Sequence, residues 1–215
     1  MSPVAEAPVT LSGLRHGFTA AADGDMSPAA ARAAAGLGDV LTLKQVHGAV
    51  VHRAAPGLSV LEGDGWVSTG PAVGVFTADC SPLLLWSGDG RVVGAFHAGW
   101  RGLAAGMPEA AVRAMTDAGA RDLSGALGPL IGPCCYEVGA EFAETFPAAS
   151  LARRDGKLYF DQRAEALRRL AAAGLPAGRV AVSPECTSCG PTAYFSWRRD
   201  RVRRSLFSYI APRAA

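Results

Sequence analysis

"VVGAFHAGWRG", residues 92–102, runs as an apolar strand straight into His97 and then breaks into Gly99, Trp100, Arg101 and Gly102. Apolar residues without a helical period, bounded by glycines, read as a buried strand, and the glycines let backbone come close to whatever the imidazole faces. The same design recurs on either side. "LKQVHG" ends on His47, and "FTADCSPLLLW" places Cys80 ahead of an apolar run. The stretch 40–54, "VLTLKQVHGAVVHRA", alternates and is β-branched, which predicts two strands or one bent strand meeting at Gly48, with His47 at a strand end. "GWVST", "VGVFTAD", "PLLLW" and "RVVGAFHA" predict further strands, with Gly88-Asp89-Gly90 as a hairpin turn.

Helices are expected before and after these strands along the chain. "SPAAARAAAGLG", 27–38, has a Ser-Pro start and a glycine stop; "PEAAVRAMTDAG", 108–119, carries Pro108 in its first turn and an apolar face of Ala111, Val112 and Met115; "DQRAEALRRLAAAG", 161–174, has Asp161 as N-cap. A helix is expected from near Gly139 to Pro147, and strands at "SGALGPLIG", "RVAVS" and "SLFSYI". Strands and helices mix without a βαβ rhythm, so the class expected is α+β rather than a doubly wound sheet.

At 215 residues, with 49% hydrophobic and 19% charged, the chain suits one globular domain over 1–215. Lys and Arg number 21 against 19 Asp and Glu, a formal charge of +2, which gives no general reason to expect nucleic acid or an anionic membrane. "WRRDRVRR", 197–204, concentrates five arginines and reads either as a solvated edge or as an anion holder. No run approaches the roughly 18 apolar residues of a spanning helix. The first ten residues show neither a basic nor an apolar leader region, so a soluble cytoplasmic protein is expected. Five cysteines placed as Cys80, Cys134-Cys135 and Cys186-x-x-Cys189 do not look like a disulfide framework.

His47, Cys80 and His97 are the candidate chemistry. Imidazole and thiolate suit Zn²⁺ or copper, and three protein ligands leave a fourth position open. Their separations, 33 residues from 47 to 80 and 17 from 80 to 97, match no local metal motif. Satisfied core histidines and a small buried cysteine are the bland alternative. A metal would keep Cys80 ionised, which neighbouring Asp79 alone would disfavour. A second scheme makes Cys80 a nucleophile with His97 as its base, with the same atoms and no ion. Arg101 could hold a phosphate or carboxylate, Gln45 and Asp64 are polar groups near the same strand ends, and Trp100 could stack on a base or simply pack. "IGPCCYEVG", 131–139, reads as a turn into a helix whose N-terminus could favour an anion, or as a plain connection. Cys186-Thr-Ser-Cys189 would need a second ligand pair to bind metal. Cys134 and Cys135 make a poor one, because adjacent side chains of an extended chain point apart; no metal is expected there.

With those residues in view, the chain resembles the YfiH-like family, called multicopper polyphenol oxidases or laccase-domain proteins and also described as purine nucleoside phosphorylases. The matching blocks are "LKQVHG", "TADCSPLLL", "HAGWRGL", "GPLIGPCCYEVG" and "CTSCGPTAYFSWRRD", in family order from about residue 40 onward. The resemblance implies a metal site of His47, Cys80 and His97, zinc or alternatively copper. It also implies phosphorolysis of adenosine, inosine and methylthioadenosine, together with adenosine deamination. The fold implied is an α+β mixed-sheet sandwich with flanking helices, distantly similar to toxin deamidases with a Cys-His pair. The expected partners are a purine nucleoside and phosphate. The alternatives are a copper-dependent polyphenol oxidase, against which only four histidines argue, and a cysteine hydrolase of cell-wall precursors. The chain departs from the family at "RHGFTAAADGD", where Ala20 to Ala22 stand in place of a basic residue of the family's anion site, so Arg15 or Arg101 would have to hold phosphate.

Overall fold

The computed structural model describes residues 13–58 and 60–213; the N-terminal stretch read above for a leader lies outside them. Twelve strands are formed among the described residues. They are β1 (His16–Phe18), β2 (Val51–Arg53), β3 (Gly65–Ser68), β4 (Val73–Thr77), β5 (Ser81–Trp86), β6 (Val93–Ala98), β7 (Ser124–Leu127), β8 (Glu137–Val138), β9 (Leu151–Arg154), β10 (Lys157–Phe160), β11 (Val180–Val182) and β12 (Leu206–Ile210). The α-helices are α1 (Ala29–Ala34), α2 (Trp100–Ala104), α3 (Met107–Asp117), α4 (Phe142–Thr145), α5 (Gln162–Ala172) and α6 (Trp197–Asp200).

A six-stranded mixed sheet ordered β11-β7-β5-β6-β3-β2 forms the centre, parallel only at its two edges. Its middle strands are apolar on both faces because both faces are covered. Leu84, Val93 and Ala95 meet Phe18, Val73, Val75 and Ile210 of the antiparallel sheet β1-β12-β4. Leu83, Leu85 and Phe96, pointing the other way by the strand period of two, meet Met107, Ala111 and Met115 of α3 and Leu170 of α5. Each such large side chain removed from water contributes roughly 1.5–3 kcal/mol. A third small sheet, β8-β10-β9, closes one end. This is an α+β arrangement, the class the residue pattern implies, with the packed sheets and flanking helices that the resemblance implies.

The hairpin turn between β5 and β6 forms at Gly88–Gly90, with Gly90 N–H donating to the Ser87 carbonyl at 2.8 Å. Asp161 caps α5 by accepting from Ala164 N–H at 2.9 Å. Three expectations change. The helix expected from Gly139 to Pro147 is the single turn α4, so "IGPCCYEVG" leads into no helix able to hold an anion. Residues 40–47 make only isolated bridges, Leu41 to Val73 and Lys44 to Glu62, and His47 sits in a loop with φ 63°. The cause is Asp64, whose carboxylate takes the N–H groups of Val46, His47 and Gly48 in place of a neighbouring strand. Finally, 151–160, for which the sequence pattern names no element above, is the hairpin β9–β10, turning at Asp155 and Gly156 with positive φ at both.

Candidate active site

The register of the central sheet assembles the site. Ser81 of β5 pairs with Ala98 of β6, so Cys80, one residue before β5, lies beside Gly99, one residue beyond β6. A side chain on Gly99 would start 2.7 Å from the Cys80 sulfur, which accounts for the glycine after the strand-end histidine. Asp64, immediately before β3, reaches both neighbours from its buried position. It receives His47 N–H at 2.9 Å, Gly48 N–H at 2.7 Å and the ring of His97 through Nδ1 at 2.8 Å. One carboxylate therefore bends the His47 loop inward and fixes which His97 nitrogen faces the cavity.

The donor atoms of His47, Cys80 and His97 lie within 4.8 Å of one another. The two imidazoles meet edge to face, 4.7 Å between centroids at 89°. His97 is buried, Cys80 partly so and His47 exposed, so the trio opens to solvent on the His47 side. Burial alone would push the Cys80 thiol up, but the His97 charge and hydrogen bonds from His47 and His97 bring it down to about 6. Burial would lower His97, yet the Cys80 thiolate and Asp64 raise it to about 9. Asp64, which burial would raise, is held below the usual carboxylate range by His97 and the Gly48 N–H.

The other candidates take different positions. Gln45 and Asp64, expected to face substrate, are turned inward. The Gln45 amide donates to the Phe76 carbonyl at 2.8 Å and accepts from Phe76 N–H at 2.7 Å, holding the loop on β4, while Asp64 has no exposed surface. Arg101 is exposed in the first turn of α2, its guanidinium 4.4 Å from the Trp100 ring centroid. Trp100 packs on Phe142 at 5.2 Å. Arg15 binds Asp39 and the Gly36 carbonyl.

Sequence reasoning passes over Tyr136 and Arg198. The Arg198 guanidinium lies 5.2 Å from the Tyr136 ring centroid, and burial together with the Cys80 charge pushes the Tyr136 phenol up. Asp79, with φ 85° immediately before Cys80, is a junction: its carboxylate accepts from Thr187 Oγ1 at 2.6 Å and Arg198 N–H at 2.7 Å, and its carbonyl from Gln162 at 2.6 Å. The signal available was the block "CTSCGPTAYFSWRRD", which brings Thr187 and Arg198 into the matched motifs.

The expectation that Cys134 and Cys135 cannot join Cys186 and Cys189 is overturned. All four sulfurs lie within 4.8 Å of one another. Residues 132–136 are a turn, with Cys135 and Tyr136 N–H both donating to the Gly132 carbonyl, so the two neighbours are not extended and do not diverge.

Residues 23–211 match the family model for multi-copper polyphenol oxidoreductase laccase. A purine nucleoside phosphorylase of Aquifex aeolicus is 38% identical over 152 residues, 70% of this chain and 71% of that protein. "Adenosine deaminase RL5", from an unknown prokaryotic organism, is 38% identical over 140 residues, 60% of this chain and 53% of that protein. The crystal structure of YlmD from Geobacillus stearothermophilus superposes with a TM-score of 0.76 at 28% identity, covering 85% of this chain and 78% of that one.

Proposed function

This chain belongs to the multi-copper polyphenol oxidoreductase laccase family, the YfiH-like family its motifs resemble, and on that premise we propose that His47, Cys80 and His97 are its catalytic metal site. The protein is a purine nucleoside-processing enzyme, acting by phosphorolysis of adenosine, inosine and methylthioadenosine and by adenosine deamination. Its substrates are small molecules, the nucleoside and phosphate. The observation that carries the reading is the convergence of three donors from distant parts of the chain, with a buried carboxylate behind one of them.

The donor set fits a divalent ion. Two imidazoles and a thiolate suit zinc, and three protein ligands leave a position for an oxygen of water or substrate. Zinc supplies Lewis acidity there when bound, which favours a nucleophilic water for deamination and offsets charge on phosphate during phosphorolysis. With an ion bound and His97 neutral, Asp64 would keep the ring proton at Nδ1 and leave the Nε2 lone pair for the ion. His47 forms the solvent-facing side of the site, and Arg101, exposed at the start of α2, is placed to hold an anionic substrate group. The placement of the cysteines, unlike a disulfide framework, supports a cytoplasmic location.

The rival using the same atoms is a cysteine hydrolase, for which the thiolate beside a protonated His97 would suffice. The third donor, His47, favours a metal over it. A multi-copper oxidase cluster would need more imidazoles than the four histidines present. The deciding experiment combines metal analysis with adenosine and inosine turnover, with and without phosphate, for the wild type and Cys80→Ala. The variant is expected to lose one equivalent of metal and at least about 10³-fold in turnover. Unchanged metal content and turnover would overturn the assignment, and turnover insensitive to chelator but blocked by alkylation would establish the hydrolase.

A further inference from the structure

Outside the site just described, the densest group of metal-ligating side chains is the cluster of Cys134, Cys135, Cys186 and Cys189. We propose that these four cysteines bind a single Zn²⁺ ion as a closed, structural tetrathiolate site.

The spacing suits one ion. A tetrahedron with Zn–S bonds of about 2.3 Å has edges of roughly 3.8 Å. Here all four sulfurs lie within 4.8 Å of one another, and Cys134 and Cys189 approach to 3.4 Å. Six separations in this range describe a compact shell rather than two disulfides. An iron–sulfur cluster spreads its thiolates over several metal atoms, so the compactness favours a mononuclear site. Four sulfurs with no oxygen or nitrogen donor select a soft cation, and zinc satisfies them without redox chemistry.

The backbone is arranged for thiolates as well. Gly132 N–H donates to the Cys186 sulfur at 3.2 Å, and the N–H groups of Ser188 and Cys189 also bond it. The Cys186–Cys189 loop turns tightly, with Gly190 N–H on the Cys186 carbonyl at 2.8 Å. A side chain on Gly190 would start 2.5 Å from that carbonyl oxygen, so the turn requires glycine. Arg199, paired with Asp200, donates to the carbonyls of Thr187 and Ser188 and so ties α6 to the cysteine loop. Zinc binding releases the thiol protons to solvent.

The site has a mechanical role. Thr187, inside the Cys186–Cys189 loop, donates to Asp79, and Asp79 directly precedes Cys80. An ion that fixes this loop holds the residue next to the catalytic sulfur.

The test uses Cys80→Ala, which lacks the sulfur of the other site, so its result does not depend on the nucleoside reading. Purified under reducing conditions and supplied with zinc, this variant is expected to hold one equivalent per chain by native mass spectrometry, and Cys80→Ala/Cys189→Ser none. With cobalt, Cys80→Ala is expected to show the visible absorption and charge-transfer bands of a tetrathiolate. Chelation should expose the four thiols to alkylation and lower Tm on the order of 10 °C. An ion-free Cys80→Ala protein, retention of zinc in the double variant, or a disulfide among these residues in the freshly isolated chain would each overturn the inference. If the double variant fails to fold, the cobalt spectrum and alkylation pattern of Cys80→Ala decide alone.

Discussion

Two sulfur-bearing clusters occupy opposite kinds of scaffold in this molecule. The His47–Cys80–His97 group sits where two paired strands of the central sheet end, mixes nitrogen with sulfur, and opens on one side. The four-cysteine group is built from two loops, is all sulfur, and is braced by backbone N–H groups rather than by a carboxylate. Three ligands with an open corner suit chemistry, whereas four thiolates leave nothing for a substrate to displace. Rigidity differs in the same sense. Cys80 and His97 are held by strand pairing over a buried core, while the cysteine loops depend on turns and on Arg199.

The largest effect expected on the His47–Cys80–His97 group from a single methyl group is at Gly99. In Gly99→Ala the new carbon must displace the Cys80 sulfur, 2.7 Å away, while meeting the His47 ring only at ordinary contact distance. The backbone itself accommodates alanine, with φ −69°, so the fold is expected to survive and Tm to stay within a few degrees. A displacement approaching 1 Å costs about 10²-fold, so steady-state nucleoside turnover should fall by that order while the zinc content of the cysteine cluster holds. Unchanged turnover would mean that the sulfur does not act at that position.

The smaller effect expected at Thr187 tests the link between the two clusters. Thr187→Val keeps the shape but deprives the buried Asp79 carboxylate of its 2.6 Å partner. The cost is about 1–2 kcal/mol, or roughly 4 °C in Tm by thermal denaturation. If the cysteine loop positions Cys80 through Asp79, turnover should drop a few-fold with metal stoichiometry intact at both sites. A Tm change without any change in turnover would reduce the link to simple packing.

How much of this was legible in the sequence follows from the range of each interaction. The middle strands declare themselves through local patterns: "PLLLW" and the "VVGAF" that leads to His97 are apolar because sheet and helices cover both faces. The convergence of His47, Cys80 and His97 is anticipated as three strand ends, but only two are strand ends. The His47 loop is shaped by Asp64, 17 residues away, and no local rule registers a carboxylate that replaces a neighbouring strand. The cysteine cluster is misjudged for a different reason. The argument that adjacent cysteines diverge assumes extended backbone, and the Gly132 carbonyl closes a turn there instead. Asp155-Gly156, in contrast, is a local hairpin signal standing plainly in the sequence, and reading it gives β9 and β10. Arg198 lies in a run of charge whose average character is solvated; its guanidinium on the Tyr136 ring and the Glu137 carbonyl is a long-range contact that no local pattern registers.

The smallest effect on either cluster is expected from Glu165, whose charge network calibrates ordinary electrostatic loss. Its side chain is fully buried in α5 and accepts from Ser150, Arg168 and Arg169, with Arg169 also reaching Glu109. Burial would raise its carboxyl, but Arg168, Ser150 and Arg169 outweigh burial and hold it below the usual glutamate value. A native pKa below the unfolded one stabilises the fold at neutral pH, and that contribution drains away as pH falls below the ordinary value of about 4.3 and through the native one. Glu165→Gln removes the charge at every pH. Its deficit against the wild type should therefore be greatest near pH 7, about 1–3 kcal/mol, and narrow toward pH 3 in denaturation curves. A gap constant with pH would place the loss in shape rather than charge. Turnover per folded molecule and metal content should not move, and a change in either would show that α5 reaches the clusters through Gln162 and Asp79.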